Sequence, residues 1–317
     1  MTDTSADLVI LGGGSGGYAA AFRAAELGLS VTLIEKDKLG GTCLHRGCIP
    51  TKALLHAAEI ADQSRESEQF GVRTSFDGID MPGVNTYKDG VVARLYKGLQ
   101  GLVKSRKITY VEGIGRLAGP TSVEVDGTSY EGRHIVLATG SVPKSLPGLD
   151  IDGERIITSD HALRLESVPA SVVILGGGVI GCEFASVWKS FGAEVTIVEA
   201  LPHLVPLEDE AASKMLERAF RKRKIGFELG SRFAGVEKTE TGIRVSPTQA
   251  RPPHTPSVLT TATPRPAVRS RRRWATVWTS TVRRVLSASE SGSLASCIRR
   301  RSASSSVVPL LGDMRPT

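Results

Sequence analysis

The sequence predicts an α/β fold with two Rossmann-like βαβ units, followed by a C-terminal tail of different composition. An apolar strand, a glycine-rich turn, a helix and a second strand occur twice, the second copy about 164 residues after the first. Near Ser246 these patterns end. We therefore expect a first domain over residues 1–147, a partial second domain over 148–246 and an unfolded tail over 247–317.

The first βαβ unit contains a G-x-G-x-x-G loop formed by Gly12, Gly14 and Gly17, directly after an apolar strand at residues 8–11. In such a loop the first glycine allows a tight turn and the second lets the backbone approach a pyrophosphate. The third lets the following helix pack closely against the strand. Glu35, at the end of the next predicted strand, is placed to accept hydrogen bonds from ribose hydroxyls. The alternative is a purely structural glycine turn.

Between the two copies, helical patterns cover residues 52–64 and 89–105, and short strands are predicted near 108–112, 122–125 and 134–138. Prolines and a glycine then mark a hinge between the two halves, at Pro143, Pro147 and Gly148.

The second unit repeats the loop with Gly176, Gly178 and Gly181 as its motif glycines. Val179 and Ile180, which lie between the last two glycines, are also assigned to this loop. Its acid is Glu199, and no arginine occupies the next three positions. A carboxylate there accepts from a free 2′-hydroxyl and repels a 2′-phosphate, which favours NAD over NADP. Two such loops predict two dinucleotides, most simply one flavin and one nicotinamide.

The net charge of +7 belongs to the tail, because residues 1–250 carry −3 and residues 251–317 carry +10. No stretch approaches the roughly 18 apolar residues of a membrane span, and no secretory signal is evident at the N-terminus. Four cysteines are too few for a disulfide scaffold. We expect a cytoplasmic protein with no membrane contact.

Four residues separate Cys43 from Cys48 in the segment GGTCLHRGCIPTK, residues 40–52. In a regular helix their Cα atoms would be roughly 8–9 Å apart, whereas a disulfide tolerates about 4.4–6.8 Å. The pair can bridge only if the backbone departs from the helix, which the neighbouring glycines permit. Two unpaired thiols remain an alternative. A zinc half-site is disfavoured because no second Cys/His pair with ligand spacing accompanies it.

Together these motifs resemble the flavoprotein disulfide reductases, a class I pyridine nucleotide-disulfide oxidoreductase family, and within them the dihydrolipoamide dehydrogenases. The resemblance covers about residues 6–246 and is carried by residues 12–17, 40–52, 138–140, 176–183 and 199. It implies one FAD-binding and one NAD-binding Rossmann-like domain.

The resemblance also implies a role for individual residues. Cys48 would face the flavin as a charge-transfer thiolate, and Cys43 would be the interchange thiol. Lys52 would lie at the reactive edge of the flavin, paired with Glu183. The remaining residues assigned to FAD are Gly12, Gly14, Gly17, Glu35, Gly41, Thr42, Gly113, Gly115, Thr139, Gly140 and Ser141. NAD is assigned to the second loop and Glu199, and no metal is implied.

The implied reaction converts dihydrolipoamide and NAD to lipoamide and NADH through the Cys43–Cys48 disulfide and FAD. The substrate would be the lipoyl groups of 2-oxo acid dehydrogenase complexes, and the family is homodimeric. Two alternatives remain open at this point. One is another thiol-disulfide or mercuric reductase of the same fold, and the other is a catalytically dead nucleotide-binding fragment.

The composition of the tail predicts that it does not contribute to catalysis. Arg, Ser, Thr and Pro supply 39 of its last 67 residues, a composition typical of unfolded segments and of a shifted reading frame. The family's second FAD segment, His–Glu pair and dimer interface are not recognisable in it. We therefore expect little bound flavin and negligible lipoamide turnover from the chain as written. An arginine-rich nucleic-acid-binding arm around residues 271–278 is a disfavoured alternative.

Three further features receive structural interpretations. Cys182 is interpreted as a small buried residue rather than a redox partner. His45 is interpreted as a partly exposed side chain near a helix start. The basic run at residues 221–224 is interpreted as a solvated helix end before a strand.

Overall fold

The computed structural model describes residues 4–143, 145–240, 242–248 and 258–261. Its first sheet contains β1 (Ser5–Leu11), β2 (Val31–Glu35), β3 (Thr109–Glu112), β4 (Arg116–Leu117), β5 (Ser122–Val125) and β6 (Thr128–Leu137). The strand order is β3-β2-β1-β6-β5-β4, parallel from β3 to β6 and antiparallel for β5 and β4. Leu8, Val9 and Ile10 of β1 are buried, as expected of a parallel strand covered on both faces.

The helices in this part of the chain are α1 (Ser15–Glu26), α2 (Gly41–His45), α3 (Cys48–Glu66) and α4 (Met81–Ser105), with a 3-10 turn at Ser67–Phe70. Helix α4 begins eight residues earlier than the pattern at residues 89–105 predicts. Gly83 and Gly90 weaken the helical signal there. Buried Met81, which belongs to the same apolar cluster as Leu54 of α3, fixes the extra turns by packing.

The second sheet is parallel throughout. Its strands are β7 (Ile156–Thr158), β8 (Ser171–Leu175), β9 (Glu194–Val198), β10 (Gly226–Glu228) and β13 (Val258–Thr261). Between β10 and β13 the chain forms a separate antiparallel hairpin of β11 (Phe233–Lys238) and β12 (Ile243–Pro247). The order in the sheet is β10-β9-β8-β13-β7. The accompanying helices are α5 (Ser159–Ala162), α6 (Val179–Phe191) and α7 (Glu210–Lys222).

Strand β13 differs from the expectation that residues 247–317 are unfolded. It pairs in parallel with β7 on one side and β8 on the other, so it joins β7 to the sheet. Its sequence, Val-Leu-Thr-Thr, has three β-branched residues, and the gap between two strands gives its backbone ladder partners on both sides. The expectation is wrong for these four residues. The interpretation of residues 271–278 lies outside the described residues.

The predicted α/β fold with two Rossmann-like units is confirmed. In the first, Leu8, Ile10 and Leu33 pack with Ala21 of α1 and Val103 of α4. The first sheet lies before residue 147 and the second after it, but the division into two domains stays a prediction.

A larger cluster contains apolar residues of both α3 and α6, including Leu54, Ala58, Phe184, Ala185 and Trp188. This cluster packs the helix that begins at Cys48 against the helix that follows the second glycine loop. Within the described part of the chain, no helix combines the length and the apolar character needed to cross a membrane.

Candidate functional site

The first glycine loop has a backbone that only glycine can adopt. Gly12 lies in the left-handed region at φ 109°, and a Cβ there would come 2.2 Å from the carbonyl oxygen of Ala138. A Cβ on Gly17 would come 1.7 Å from the carbonyl oxygen of Gly12. These contacts are the tight turn and the close helix–strand packing that the sequence pattern predicts.

Gly14, in contrast, faces open space. A Cβ built on Gly14 would have a single neighbour within 4 Å, the Cα atom of Gly41 at 3.9 Å. Helix α1 starts at the next residue, and the first N–H groups of a helix lack partners within it. The space above Gly14 and the start of α1 therefore fit a pyrophosphate.

Glu35 organises this loop in a way that the sequence did not reveal. Its Oε2 accepts a hydrogen bond from the backbone N–H of Gly13 at 2.6 Å, and its Oε1 accepts from the N–H of Asp37 at 3.0 Å. Each carboxylate oxygen keeps a further lone pair that can accept from a ribose hydroxyl. The acid therefore fixes the loop before any ligand binds.

The second loop repeats this geometry. Gly176 lies at φ 105°, and no atom stands within 4 Å of a Cβ built on Gly178. The Oε2 atom of Glu199 accepts from the N–H of Gly177 at 2.7 Å, and its Oε1 accepts from the N–H of Leu201 at 2.7 Å. Glu199 is 8% exposed. At the start of α6, Val179 and Ile180 are exposed and Gly181 is buried.

Different segments cross the two loops. Gly40 donates to the carbonyl oxygen of Gly13 at 2.9 Å and forms a parallel bridge with Gly14. A Cβ on Gly41 would lie 2.7 Å from the Cα of Gly14, so glycine at this position lets the segment from Gly41 through Thr42 to Cys43 lie against the loop. This contact brings the predicted redox segment to the first dinucleotide site.

At the second loop, Val205 takes the place that Gly40 has at the first. Its N–H donates to the carbonyl oxygen of Gly177 at 2.7 Å. The side chain of Leu204 closes the same side, since a Cβ on Gly177 would come 2.7 Å from its Cδ2. The second loop is therefore covered by an apolar turn that carries no redox group.

The backbone between Cys43 and Cys48 is not a continuous helix. Helix α2 ends at His45, Arg46 and Gly47 have φ values of −140° and −145°, and α3 starts at Cys48. The departure from helix that a bridge requires is therefore present. Both cysteines are free thiols, with Cys43 half-buried and Cys48 exposed. The structure represents the dithiol form, and the disulfide form stays a prediction.

The two thiols have unequal surroundings. Burial raises the pKa of the Cys43 thiol to about 11, and a hydrogen bond with Cys48 adds to the rise. The positive charge of Lys52 lowers the same pKa by a smaller amount. Cys43 therefore holds its proton near neutral pH, and it needs a base to become a nucleophile.

Lys52 pairs with Glu183, as the resemblance implies. The Nζ atom of Lys52 lies 2.5 Å from Oε1 of Glu183 and joins α3 to α6. The Lys52 side chain is 59% exposed and that of Glu183 is 21% exposed. This ion pair connects the helix that starts at Cys48 to the helix that starts at the second loop.

Gly113 and Gly115 lie where β3 ends, beside the ends of β1 and β2. Gly113 donates to the carbonyl oxygen of Glu35 at 2.9 Å. A Cβ on Gly115 would come 2.4 Å from the Cδ1 of Leu11. Gly115 is therefore closely packed against the side chain of Leu11, and the assignment of both glycines to the adenine end of FAD stays a prediction.

Thr139, Gly140 and Ser141 directly follow β6, next to Ala138, whose carbonyl oxygen approaches Gly12. All three are exposed. Their position at the mouth of the first loop is compatible with a cofactor contact, which stays a prediction.

The residues given structural interpretations have specific contacts. His45 Nε2 lies 2.9 Å from the carbonyl oxygen of Leu39, and its ring meets that of Tyr96 edge-on. The buried thiol of Cys182 donates to the carbonyl oxygen of Gly177, and burial raises its pKa to about 12. In the basic run, Arg221 lies over the ring of Phe227.

Comparison with known proteins gives one family. Residues 6–267 match the family of pyridine nucleotide-disulphide oxidoreductases. The dihydrolipoyl dehydrogenase of Bacillus subtilis strain 168 is 43% identical over 256 residues, which are 77% of this chain and 54% of the relative.

Solved structures agree. LpdA of Mycobacterium tuberculosis has a TM-score of 0.73 at 29% identity, covering 80% of this chain and 57% of that one. The HOCl-induced flavoprotein disulfide reductase RclA of Escherichia coli has a TM-score of 0.68 at 29% identity, covering 82% and 57%. The chain thus spans about half the length of the curated relatives that it matches.

Proposed function

This chain belongs to the pyridine nucleotide-disulphide oxidoreductase family, and from that premise we propose that it carries the thiol-redox site of an NAD-linked dihydrolipoamide dehydrogenase. The reaction is the oxidation of dihydrolipoamide by NAD⁺ through the Cys43–Cys48 disulfide and FAD. The family membership confirms the resemblance found in the sequence, while the substrate and the complete activity are our proposal.

One observation carries the proposal. The Cys43–Cys48 segment lies against the first glycine loop through Gly40 and Gly41, and the same helix that starts at Cys48 is tied to the second loop's helix by Lys52. The dithiol segment thus contacts the first loop, and the helix that follows it contacts the helix of the second loop, which supports the proposal. That arrangement suits electron transfer from a dithiol to a nicotinamide.

The open faces of Gly14 and Gly178 and the two helix starts fit the two pyrophosphates, so we assign FAD to the first loop and NAD to the second. When bound, FAD accepts the electron pair of the dithiol and NAD⁺ accepts it as hydride. Glu35 and Glu199 hold the loops and offer acceptors to ribose. Buried Glu199 disfavours a 2′-phosphate.

The chain's own chemistry is thiol–disulfide exchange. A thiolate of dihydrolipoamide attacks the sulfur of Cys43, and the Cys43–Cys48 bond breaks with Cys48 leaving as the thiolate. The second substrate thiolate then attacks the mixed disulfide, which releases lipoamide and Cys43. Because the pKa of Cys43 is about 11, an acid must protonate the Cys43 thiolate when it leaves, and the conjugate base must remove that proton later in the cycle.

The exchange step provides the test, since it does not need either dinucleotide. The oxidised chain is treated with a stoichiometric amount of dihydrolipoamide or of reduced glutathione, separated from the small molecules, and the thiols of the chain itself are counted. We expect two new thiols per chain with dihydrolipoamide, formed faster than with glutathione. Cys43→Ser and Cys48→Ser should each gain none by this route. Faster exchange with glutathione would instead favour another thiol-disulfide reductase of the same fold.

We propose the lipoyl groups of 2-oxo acid dehydrogenase complexes as the partner and the cytoplasm as the location. The relatives named dihydrolipoyl dehydrogenase support the lipoyl partner.

A further inference from the structure

Helices α3 and α6 are joined at two places. Near their starts, Lys52 contacts Glu183. Near their ends, the Oδ2 atom of Asp62 accepts a hydrogen bond from the hydroxyl of Ser190 at 2.6 Å. The two contacts place start beside start and end beside end, so the helices run in the same direction.

Arg223, which follows α7, completes the second contact. Its Nη2 donates to Asp62 at 3.2 Å and to the Ser190 hydroxyl at 2.7 Å, and its Nη1 donates to the Ser186 hydroxyl at 2.9 Å. We call Asp62, Ser186, Ser190 and Arg223 the end clamp.

The two joints differ in character. The Lys52–Glu183 pair is largely exposed on the lysine side, and such pairs contribute little rigidity because water and salt screen them. The end clamp is a connected network around Ser190, which is 3% exposed, while the side chains of Arg223 and Asp62 are 35% and 37% exposed. The planar guanidinium of Arg223 donates to four acceptors: Asp62, the Ser190 hydroxyl, and the hydroxyl and carbonyl oxygens of Ser186. Between the joints, Leu54 and Ala58 share an apolar cluster with Phe184.

We propose that Arg223, with Asp62 and Ser190, positions the redox site by fixing the alignment of α3 and α6. This inference rests on the proposed function, because α3 carries the dithiol at its start and α6 begins at the proposed NAD loop. The arginine touches no reacting atom and acts through the helices. Its effect is to keep Lys52 beside Glu183 and the thiols at a constant distance from the second loop.

The test uses the reduced full chain without added cofactor. The rates at which iodoacetamide alkylates Cys43 and Cys48 are measured by peptide mass spectrometry at several pH values, and NAD affinity is measured in parallel. Arg223→Met and Ser190→Ala are compared with Arg218→Met, an exposed arginine on the same helix α7. Ser190→Ala removes only a hydroxyl group, so it keeps the test valid if Arg223→Met does not fold.

We expect both clamp variants to slow Cys43 alkylation at pH 9 by about threefold and to weaken NAD binding by a similar factor, a coupling typical of residues in one network. The positive charge of Lys52 would then be held less closely to the thiols. Arg223→Lys should recover part of both effects, and Arg218→Met should show neither.

If the end clamp had only a general structural role, its variants would slow Cys43 alkylation equally whether Lys52 is present or replaced. The positioning role predicts that the slowing disappears when Lys52 is already replaced by Met. The inference is overturned if Ser190→Ala behaves like Arg218→Met, or if the slowing persists unchanged beside Lys52→Met. Failure of dihydrolipoamide to reduce the oxidised chain would overturn the proposed function alone, because alkylation and NAD binding are measured without that substrate.

Discussion

The two glycine loops have nearly the same backbone, but a different chain segment lies across each of them. In both, the first glycine has φ above 100° and the acid at the end of the second strand accepts from the N–H of the second loop residue. In the first loop the segment that crosses is Gly40–Gly41, which leads to the thiols. In the second it is the apolar turn at Leu204–Val205.

The shape of each dinucleotide loop and the reactive groups beside it come from different parts of the chain. Glycines and an acid suffice for the loop, and they are local in sequence. The chemistry comes from the segment that crosses the loop, which has to be free of side chains where it touches. Gly41 meets that condition at the first loop and allows the segment that carries Cys43 and Cys48 to lie there.

The largest effect should come from the crowded end of the first loop. Gly17→Ala would place a Cβ 1.7 Å from the Gly12 carbonyl oxygen, so the loop and helix α1 must move apart. We expect a loss of about 3 kcal/mol or more in the free energy of unfolding, the upper range for overpacking. Gly16→Ala is the matched control, because a Cβ there meets nothing within 4 Å. Equal urea midpoints for the two variants would disprove this packing role.

Next in size is the loss of the acid that organises each loop. Glu199→Ala leaves the N–H groups of Gly177 and Leu201 without their partner, at a cost of about 1–3 kcal/mol. We expect weaker NAD binding and a narrower gap between NAD and NADP, measured by titration calorimetry.

Glu199→Gln separates the two roles of that acid, since an amide keeps one acceptor oxygen without the charge. It should retain more NAD affinity than the alanine variant, and it should still reduce the difference in affinity between NAD and NADP. An unchanged preference for NAD over NADP in both variants would show that Glu199 does not select the nucleotide.

The two thiols should differ in reactivity within the first site. Because the pKa of Cys43 is about 11, its alkylation rate should rise about tenfold per pH unit from pH 8 towards 10. Exposed Cys48 should be modified faster than Cys43 at pH 8. Site-resolved mass spectrometry after brief iodoacetamide treatment measures both rates. Faster modification of Cys43 than Cys48 at pH 8 would contradict the described burial.

The smallest effect on the free energy of unfolding should come from the Lys52–Glu183 ion pair between helices α3 and α6. Lys52→Met removes an ion pair whose lysine is more than half exposed, so the free energy of unfolding should fall by about 1 kcal/mol at most. The fall should shrink further in high salt. A larger loss, insensitive to salt, would mean that the pair holds the helices together without help from the end clamp.

The elements that the sequence predicted are those whose signals are local. Gly12, Gly17, Gly176 and the acids stand within one βαβ pattern each, and the paired cysteines carry a specific spacing. The Lys52–Glu183 contact spans 131 positions and was reached only through the family resemblance.

What the sequence did not predict depends on distant partners. The backbone contacts of Glu35 and Glu199 require the folded loop to exist. The end clamp joins residues up to 161 positions apart, and no local pattern marks Arg223 within its basic run. Strand β13 was missed because its four residues lie in a segment of unfolded composition, and the gap between β7 and β8 supplied the pairing.

We propose that Cys43 and Cys48 form one redox-active pair beside the first loop. The most direct measurement is a thiol titration of the air-oxidised chain, unfolded in denaturant, before and after reduction. The sequence holds four cysteines, so we expect two thiols before reduction and four after it, with no difference in the Cys43→Ser, Cys48→Ser double variant. Four thiols in both titrations of the unmodified chain would show that the two cysteines do not form a disulfide.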